Sequence, residues 1–183
     1  MMKPNATEVP LPTGVQLQSI TMHQDERGCF SEIFRASWLE SLAPVQWNFV
    51  QSEANVLRGV HVHKKHIDYL IIAQGQALVA LRDLRKGSPT EGLAAHLELS
   101  GEQLKGVVIP PGVAHGFYFY TPAIHIYAVT EYWDEDDELG CYYLDPELGI
   151  SWPTSVPILS ERDRKLPPLG AISDLMPSWQ PGE

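Results

Sequence analysis

Turn signals punctuate this chain so densely that long helices have no room. KGSPTEG, SGEQLKG, IPPG, TPA and LDPELG each interrupt the pattern with Gly, Pro, Asp or Ser, residues that supply positive φ, a fixed φ or a side chain that bonds its own backbone. Between such signals lie short apolar runs rich in β-branched and aromatic residues, at 15–22, 30–34, 47–53, 56–62, 69–73, 76–84, 94–99, 107–109, 116–120, 124–131 and 141–144. Many short strands with few helical periods favour an all-β sandwich or barrel over an α/β fold. One short helix is expected at 37–42 with Ser37 as its cap. The stretch 23–29 reads as a turn, and the Pro-rich end at 154–183 as an irregular segment laid against the surface.

A chain of 183 residues, 44% hydrophobic and 20% charged, suits one compact domain over 1–183. A net charge of -10 argues against a nucleic-acid partner. Small anionic substrates stay compatible, because local arginines can oppose the global sign. Cys29 and Cys141 stand in no C-x-x-C arrangement, so neither a disulfide framework nor a thiolate zinc site is expected. Residues 1–12 lack the apolar core of a signal peptide and no later run is long enough to span a bilayer, which points to the cytoplasm with no membrane partner.

Chemistry concentrates in RGVHVHKKHIDYLIIAQG at 58–75. On a strand, side chains alternate faces, so His61 and His63 point one way and Val60 and Val62 the other. Lys64 to His66 is too polar for a buried strand and reads as a solvated turn. Asp68 lies at an odd offset from His63 and joins the histidines only if that turn reorients the chain. At 107–119, VVIPPGVAHGFYF, a Pro-Gly turn delivers His115 to the start of an aromatic strand. The pattern G-x-H-x-H, then Asp68 and Gly75, with P-x-G and His115 later, resembles the two signature motifs of the cupin superfamily. It implies a cupin-type double-stranded β-helix, or jelly roll, around an open-ended cavity. In metal-binding cupins the matching positions are His61, His63, Asp68 and His115, a set that suits Zn, Mn, Fe or Ni.

A wider resemblance runs nearly end to end. DERGCFSE at 25–32, NFVQ at 48–51, NVLRGVH at 55–61, DLRKGSPT at 83–90, IPPGVAHGF at 109–117, IYAVTEYW at 126–133, LDPELGISWP at 144–153 and LSERD at 159–163 resemble the dTDP-4-dehydrorhamnose 3,5-epimerase family. Those isomerases invert carbons beside the keto group of a nucleotide-linked sugar. The resemblance implies His61 as base, Asp163 as the acid residue that supports it and Tyr127 as proton donor. It also implies Arg27 and Arg58 on the diphosphate, Phe30 and Glu32 on the nucleotide base, and Gln51 and His115 as further substrate contacts, to which His63 is added from the same cluster. No cofactor or bound metal is expected, and a homodimer is, with N-terminal strands within 1–50 at its interface.

Two positions depart from the family. His63 stands where a glutamine is usual, and Asp68 where a lysine steadies the enolate. Lys64, Lys65 or His66 could restore positive charge from the turn, or a metal could act as Lewis acid. The string RGVHVHKK also resembles nucleotide-sugar 3,4-ketoisomerases, which would make His63 catalytic. Besides that isomerase, a metal-dependent cupin enzyme on another small molecule and a non-catalytic nucleotide-sugar binder stay open. Asp163 has a plain alternative as part of a surface ion-pair cluster, and the acidic run at 134–138 reads as a solvated loop.

Overall fold

The structure, a computed structural model, describes residues 10–38 and 42–180. Its strands are β1 (Gln16–Ser19), β2 (His23–Asp25), β3 (Gly28–Phe30), β4 (Gln46–Ser52), β5 (Leu57–Val62), β6 (Asp68–Gln74), β7 (Gln76–Asp83), β8 (Ala94–Ser100), β9 (Lys105–Ile109), β10 (Val113–Phe119), β11 (Ala123–Val129) and β12 (Leu139–Gly140). One sheet runs β1-β9-β6-β11-β4 and the other β12-β5-β10-β7-β8, with β2 and β3 as a separate hairpin. Every strand pair is antiparallel. Turn spacing points to a sandwich or barrel, and this is the jelly-roll form that the cupin resemblance implies.

Three apolar layers hold it together. Between the sheets, Leu70, Ile72, Val79, Leu81, Val107 and Phe119 interdigitate. Outside the second sheet, the chain after β12 lays Tyr143, Leu148, Leu169, Ile172 and Met176 over Val60, Val62 and Leu78. Outside the first, Ile20, Ile33, Phe34 and Trp38 cover Tyr69, Ile71 and Val108. The Pro-rich end is therefore irregular in backbone yet anchored by the buried Leu169, Ile172 and Met176. Burying one such side chain is worth about 1.5–3 kcal/mol, so these covers matter to stability.

Several boundaries differ from the sequence reading, for one shared reason. The run 30–34 keeps only Phe30 in a strand, and 141–144 forms none, the pairing falling instead at Leu139–Gly140. Alternating apolar residues there serve to cover a sheet face: Ile33 and Phe34 one face, Cys141 and Tyr143 the other. Residues 23–29 form the β2–β3 hairpin and not a simple turn. Ala36 to Trp38 make a turn, and the rest of the helix expected at 37–42 lies across 39–41, outside the described residues.

Gly106 on β9 is required by sterics, since a Cβ there would enter the ring of buried Tyr69. Gly106→Ala is expected to lower stability by about 1–3 kcal/mol, the usual cost of overpacking a core. A urea midpoint equal to that of the wild type would contradict it.

Candidate active site

A bulge in β5 sets the geometry of the site. On β10, His115 opposes His61 and Phe117 opposes Arg58, so β5 spends one residue more than its partner between these two pairs. Gly59 sits in this bulge at φ 120, and a Cβ there would meet Gly116 and the His115 carbonyl. Arg58 and His61, an odd number apart, would face opposite ways on a regular strand. The extra residue re-aims one of them, and Arg58, His61 and His63 all line one cavity.

That cavity, of about 290 Å³, opens between the two sheets. From the second sheet and its extensions it takes Arg58, His61, His63, His115 and Phe117, and from the first Gln46, Asn48, Asp68, His125 and Tyr127. Groups on opposite walls can act on opposite faces of a molecule held between them.

His61 is held by a residue 102 positions away: its Nε2 stands 2.7 Å from Asp163 Oδ1. The local sequence explains how. Ser160 caps the short helix α1 (Glu161–Arg164) by accepting the Asp163 N–H at 3.0 Å, which fixes Asp163 in the first turn. Among the charged residues of this stretch, Asp163 is 4% exposed, whereas Glu161, Arg162, Arg164 and Lys165 face solvent. The surface ion-pair alternative for Asp163 is thereby removed. Burial alone would raise its carboxyl, but hydrogen bonds from His61, Ser160 and the Gly59 backbone outweigh it and hold it below the usual carboxylate range. An ionised Asp163 accepts, so His61 Nε2 carries the hydrogen and Nδ1 keeps the basic lone pair.

Tyr127 lines the opposite wall on β11, half-buried and beside the ring of His125 at 5.9 Å between centroids. Burial, helped by the charges of Asp68 and Glu138, raises its phenol, so the hydroxyl stays protonated at neutral pH.

Deeper in the cavity three more imidazoles gather about Asp68. The turn at 64–67 does reorient the chain, and Asp68 joins the cluster despite its odd offset. His66 is the main correction to the sequence reading: it is 5% exposed, its ring stacks on His63 at 3.8 Å, and it lines the cavity. The acidic run at 134–138 is likewise no solvated loop throughout, because Asp137 is 2% exposed and accepts from the Lys64 N–H at 2.6 Å and from His66 Nδ1 at 3.0 Å. Burial, with neighbouring imidazoles, pushes His63 down to about 2, and burial pushes His115 down to about 3. Burial, then the charges of Glu138 and Asp137, pushes Asp68 well above the ordinary carboxylate value. Lys65 turns outward to Asp134 at 2.8 Å and supplies no charge here. The positions matching metal-binding cupins, His61, His63, Asp68 and His115, are not the set gathered here: His61 pairs with Asp163, and His66 stands beside Asp68 instead.

Four expected contacts lie outside the cavity. Arg27 is exposed on the β2–β3 hairpin and paired with Asp25, Phe30 is 65% exposed, and Glu32 pairs with Arg35. None of the described residues before Gln46 lines the cavity. Gln51 points outward on β4, while Gln46 and Asn48 point in. Strand alternation would have favoured Asn48 over Gln51, and counting two back from Tyr127 would have found His125. Arg58 donates through Nε to Ser52 Oγ at 2.9 Å and through Nη2 to the Gln51 carbonyl at 3.2 Å, which leaves its Nη1 edge open to an anion.

Comparisons with known proteins place the chain in a family. The family model for dTDP-4-dehydrorhamnose 3,5-epimerase matches residues 9–171. The chain is similar to the dTDP-4-dehydrorhamnose 3,5-epimerase of Pseudomonas aeruginosa, 32% identical over 87% of this chain and 93% of the relative. It is 34% identical to that of Neisseria gonorrhoeae over 81% of this chain, but spans only 48% of that relative's length. Among solved structures it is similar to a dTDP-6-deoxy-D-glucose-3,5-epimerase from Legionella pneumophila in complex with dTDP-4-keto-L-rhamnose, with 35% identity, TM-score 0.84, and 91% and 94% of the two chains covered.

Proposed function

Because this chain belongs to the dTDP-4-dehydrorhamnose 3,5-epimerase family of the cupin fold, we propose that it is an isomerase acting on a nucleotide-diphosphate 4-keto-6-deoxy sugar. It inverts C3, C5 or both through an enolate. The observation that carries this reading is the part-buried His61–Asp163 pair on one wall of the cavity, with Tyr127 on the other.

The chemistry follows from those positions. His61 Nδ1 takes the proton from the carbon beside the ketone, and the ionised Asp163 stabilises the imidazolium that forms. The electron pair moves into the carbonyl, giving the enolate. Tyr127, protonated and on the opposite wall, returns a proton to the other face, and the centre inverts. Arg58 grips the diphosphate through its free edge.

The active form we propose is a homodimer. Arg27, Phe30 and Glu32 stand outside their own cavity on exposed backbone, which supports assigning their contact with a nucleotide to the cavity of a second copy. Trp47 and Phe49, 44% and 63% exposed on edge strand β4, offer apolar surface for one. We place the enzyme in the cytoplasm, where Cys29 and Cys141 would stay free thiols. No described helix is long and apolar enough to cross a membrane.

The test is proton NMR in deuterated water with dTDP-4-keto-6-deoxyglucose, following C3–H and C5–H. Exchange at either carbon is expected, and the number of exchanging sites gives the number of inverted centres. Tyr127→Phe should still exchange protons through His61 but form epimer about 100- to 10,000-fold more slowly. A wild-type protein that exchanges neither proton would sink the reading.

A further inference from the structure

Three imidazoles in this cavity are held in the opposite sense to His61. His63 Nδ1 faces the Asp137 carbonyl at 3.2 Å, His66 Nδ1 the Asp137 carboxylate at 3.0 Å, and His115 Nδ1 the Val113 carbonyl at 3.1 Å. Those oxygens only accept, so in the neutral rings each Nδ1 carries the hydrogen and each Nε2 keeps a lone pair. All three Nε2 atoms lie around one oxygen: Asp68 Oδ2 is 3.8 Å from His63, 3.7 Å from His66 and 3.9 Å from His115. Among the described residues no hydrogen-bond donor reaches Asp68 or these Nε2 atoms; the histidines' bonds run through Nδ1. Four acceptors of buried residues thus converge on one spot facing the cavity, with no protein donor between them among the described residues.

We propose that Nε2 of His63, His66 and His115 and Oδ2 of Asp68 form a binding site for a divalent transition-metal ion of the zinc, manganese, iron or nickel class. Ligand atoms on bonds of about 2.1 Å in a tetrahedron stand roughly 3.4 Å apart, so the three distances to Asp68 Oδ2 need a contraction of about 0.3–0.5 Å, and the imidazoles must also close on one another around the ion. His63, His66 and Asp68 already lie within 4.8 Å of one another, and His115 joins through the same Asp68 oxygen. The supporting contacts are those a metal site needs, since an acceptor on each Nδ1 fixes the ring and raises the basicity of Nε2. Asp137 supplies two of the three, from its carbonyl and its carboxylate. His61 stands apart from this set, its Nε2 hydrogen given to Asp163 and its Nδ1 lone pair kept for the proton transfer proposed above.

The role of the ion rests on the epimerase reading. The cavity is lined by four acidic side chains, Asp68, Glu131, Glu138 and Asp163, against two guanidinium groups, Arg58 and Arg162, of which Arg162 is paired with Glu138. An enolate oxygen would gain charge in an already acidic place, and a divalent cation acting as Lewis acid offsets that. The competing arrangement needs no metal: a proton on Asp68, donated to one of the imidazoles.

Titration of the chelator-stripped full-length protein with cobalt(II), followed by visible absorption, and competition with zinc(II) decide between them. One cobalt per chain is expected, with the d–d bands of a nitrogen-and-oxygen site. His66→Gln and Asp68→Asn should each weaken binding by at least about 100-fold, whereas His61→Asn should bind within a few-fold of the wild type. Thermal melts check that each variant is folded. A wild-type protein with no saturable cobalt signal would overturn the proposal, as would binding lost equally in His61→Asn or unaffected in a folded His66→Gln. Cobalt occupancy is read without substrate, so its failure leaves the proton-exchange result standing, and exchange can fail while the site still fills.

Discussion

His61→Asn is expected to cut deuterium exchange at every sugar carbon that the wild type exchanges by about 1,000-fold while leaving the protein folded. The magnitude is that of losing a positioned general base. Asparagine has no lone pair able to take a carbon-bound proton, yet its amide can still donate to Asp163 and keep α1 docked. Asp163→Asn tests the other half of the pair and should fall less, by about 100-fold. That variant still accepts from His61 Nε2 but no longer stabilises the imidazolium with a full charge. The double variant should be hardly slower than His61→Asn alone, since the carboxylate acts only through the imidazole. Exchange in a folded His61→Asn at a rate close to the wild type would remove His61 as the base.

The second large effect is on stability, and it lies outside the cavity. The string DLRKGSPT, which reads as a family signature, encloses a buried polar knot. Asp83 is 1% exposed and accepts from the Arg85 backbone at 3.1 Å, from Arg85 Nε at 2.9 Å and Nη2 at 2.8 Å, from Ser88 Oγ at 2.6 Å and from Thr90 Oγ1 at 2.7 Å. Arg85 Nη2 also donates to the Thr13 carbonyl at 2.6 Å, which ties the N-terminal segment to this corner. Asp83→Ala strands a buried guanidinium and two hydroxyls, and should cost about 3–5 kcal/mol in urea denaturation. Replacing Asp83 and Arg85 together by Leu and Met should recover much of that loss, because no charge is then left unpaired. Additive losses in the double variant would contradict the account. Burial raises the Asp83 carboxyl, but its donors outweigh that and hold it below its ordinary value. Its contribution is therefore complete above the unfolded carboxylate pKa of about 4, shrinks as pH falls below it, and is gone once pH passes the depressed folded value.

How far the sequence speaks depends on whether a residue's surroundings are local. Alternation in 56–62 correctly puts His61 and His63 on one face, because a strand's side-chain period needs no tertiary information. The bulge that adds Arg58 to that face is hinted at only by Gly59. His66 is illegible for a different reason. It follows two lysines in a polar string, and what buries it is Asp137, 71 residues on. Asp163 is one of five charged residues in a row, and only docking of the helix against Gly59 and His61 decides which goes inside. Motif matching without strand geometry misleads at Gln51, whose face looks outward, and overlooks Asn48 and His125.

The long span between base and carboxylate sets a clock. His61 is made early, and Asp163 arrives 102 residues later on the segment that covers the outer face of the second sheet. At a synthesis rate of about 5–20 residues per second, His61 waits roughly 5–20 s for its partner. The sheets can pair in that interval, but a growing chain holds an unsupported imidazole and an uncovered apolar face. Its competence switches on only when the final stretch docks.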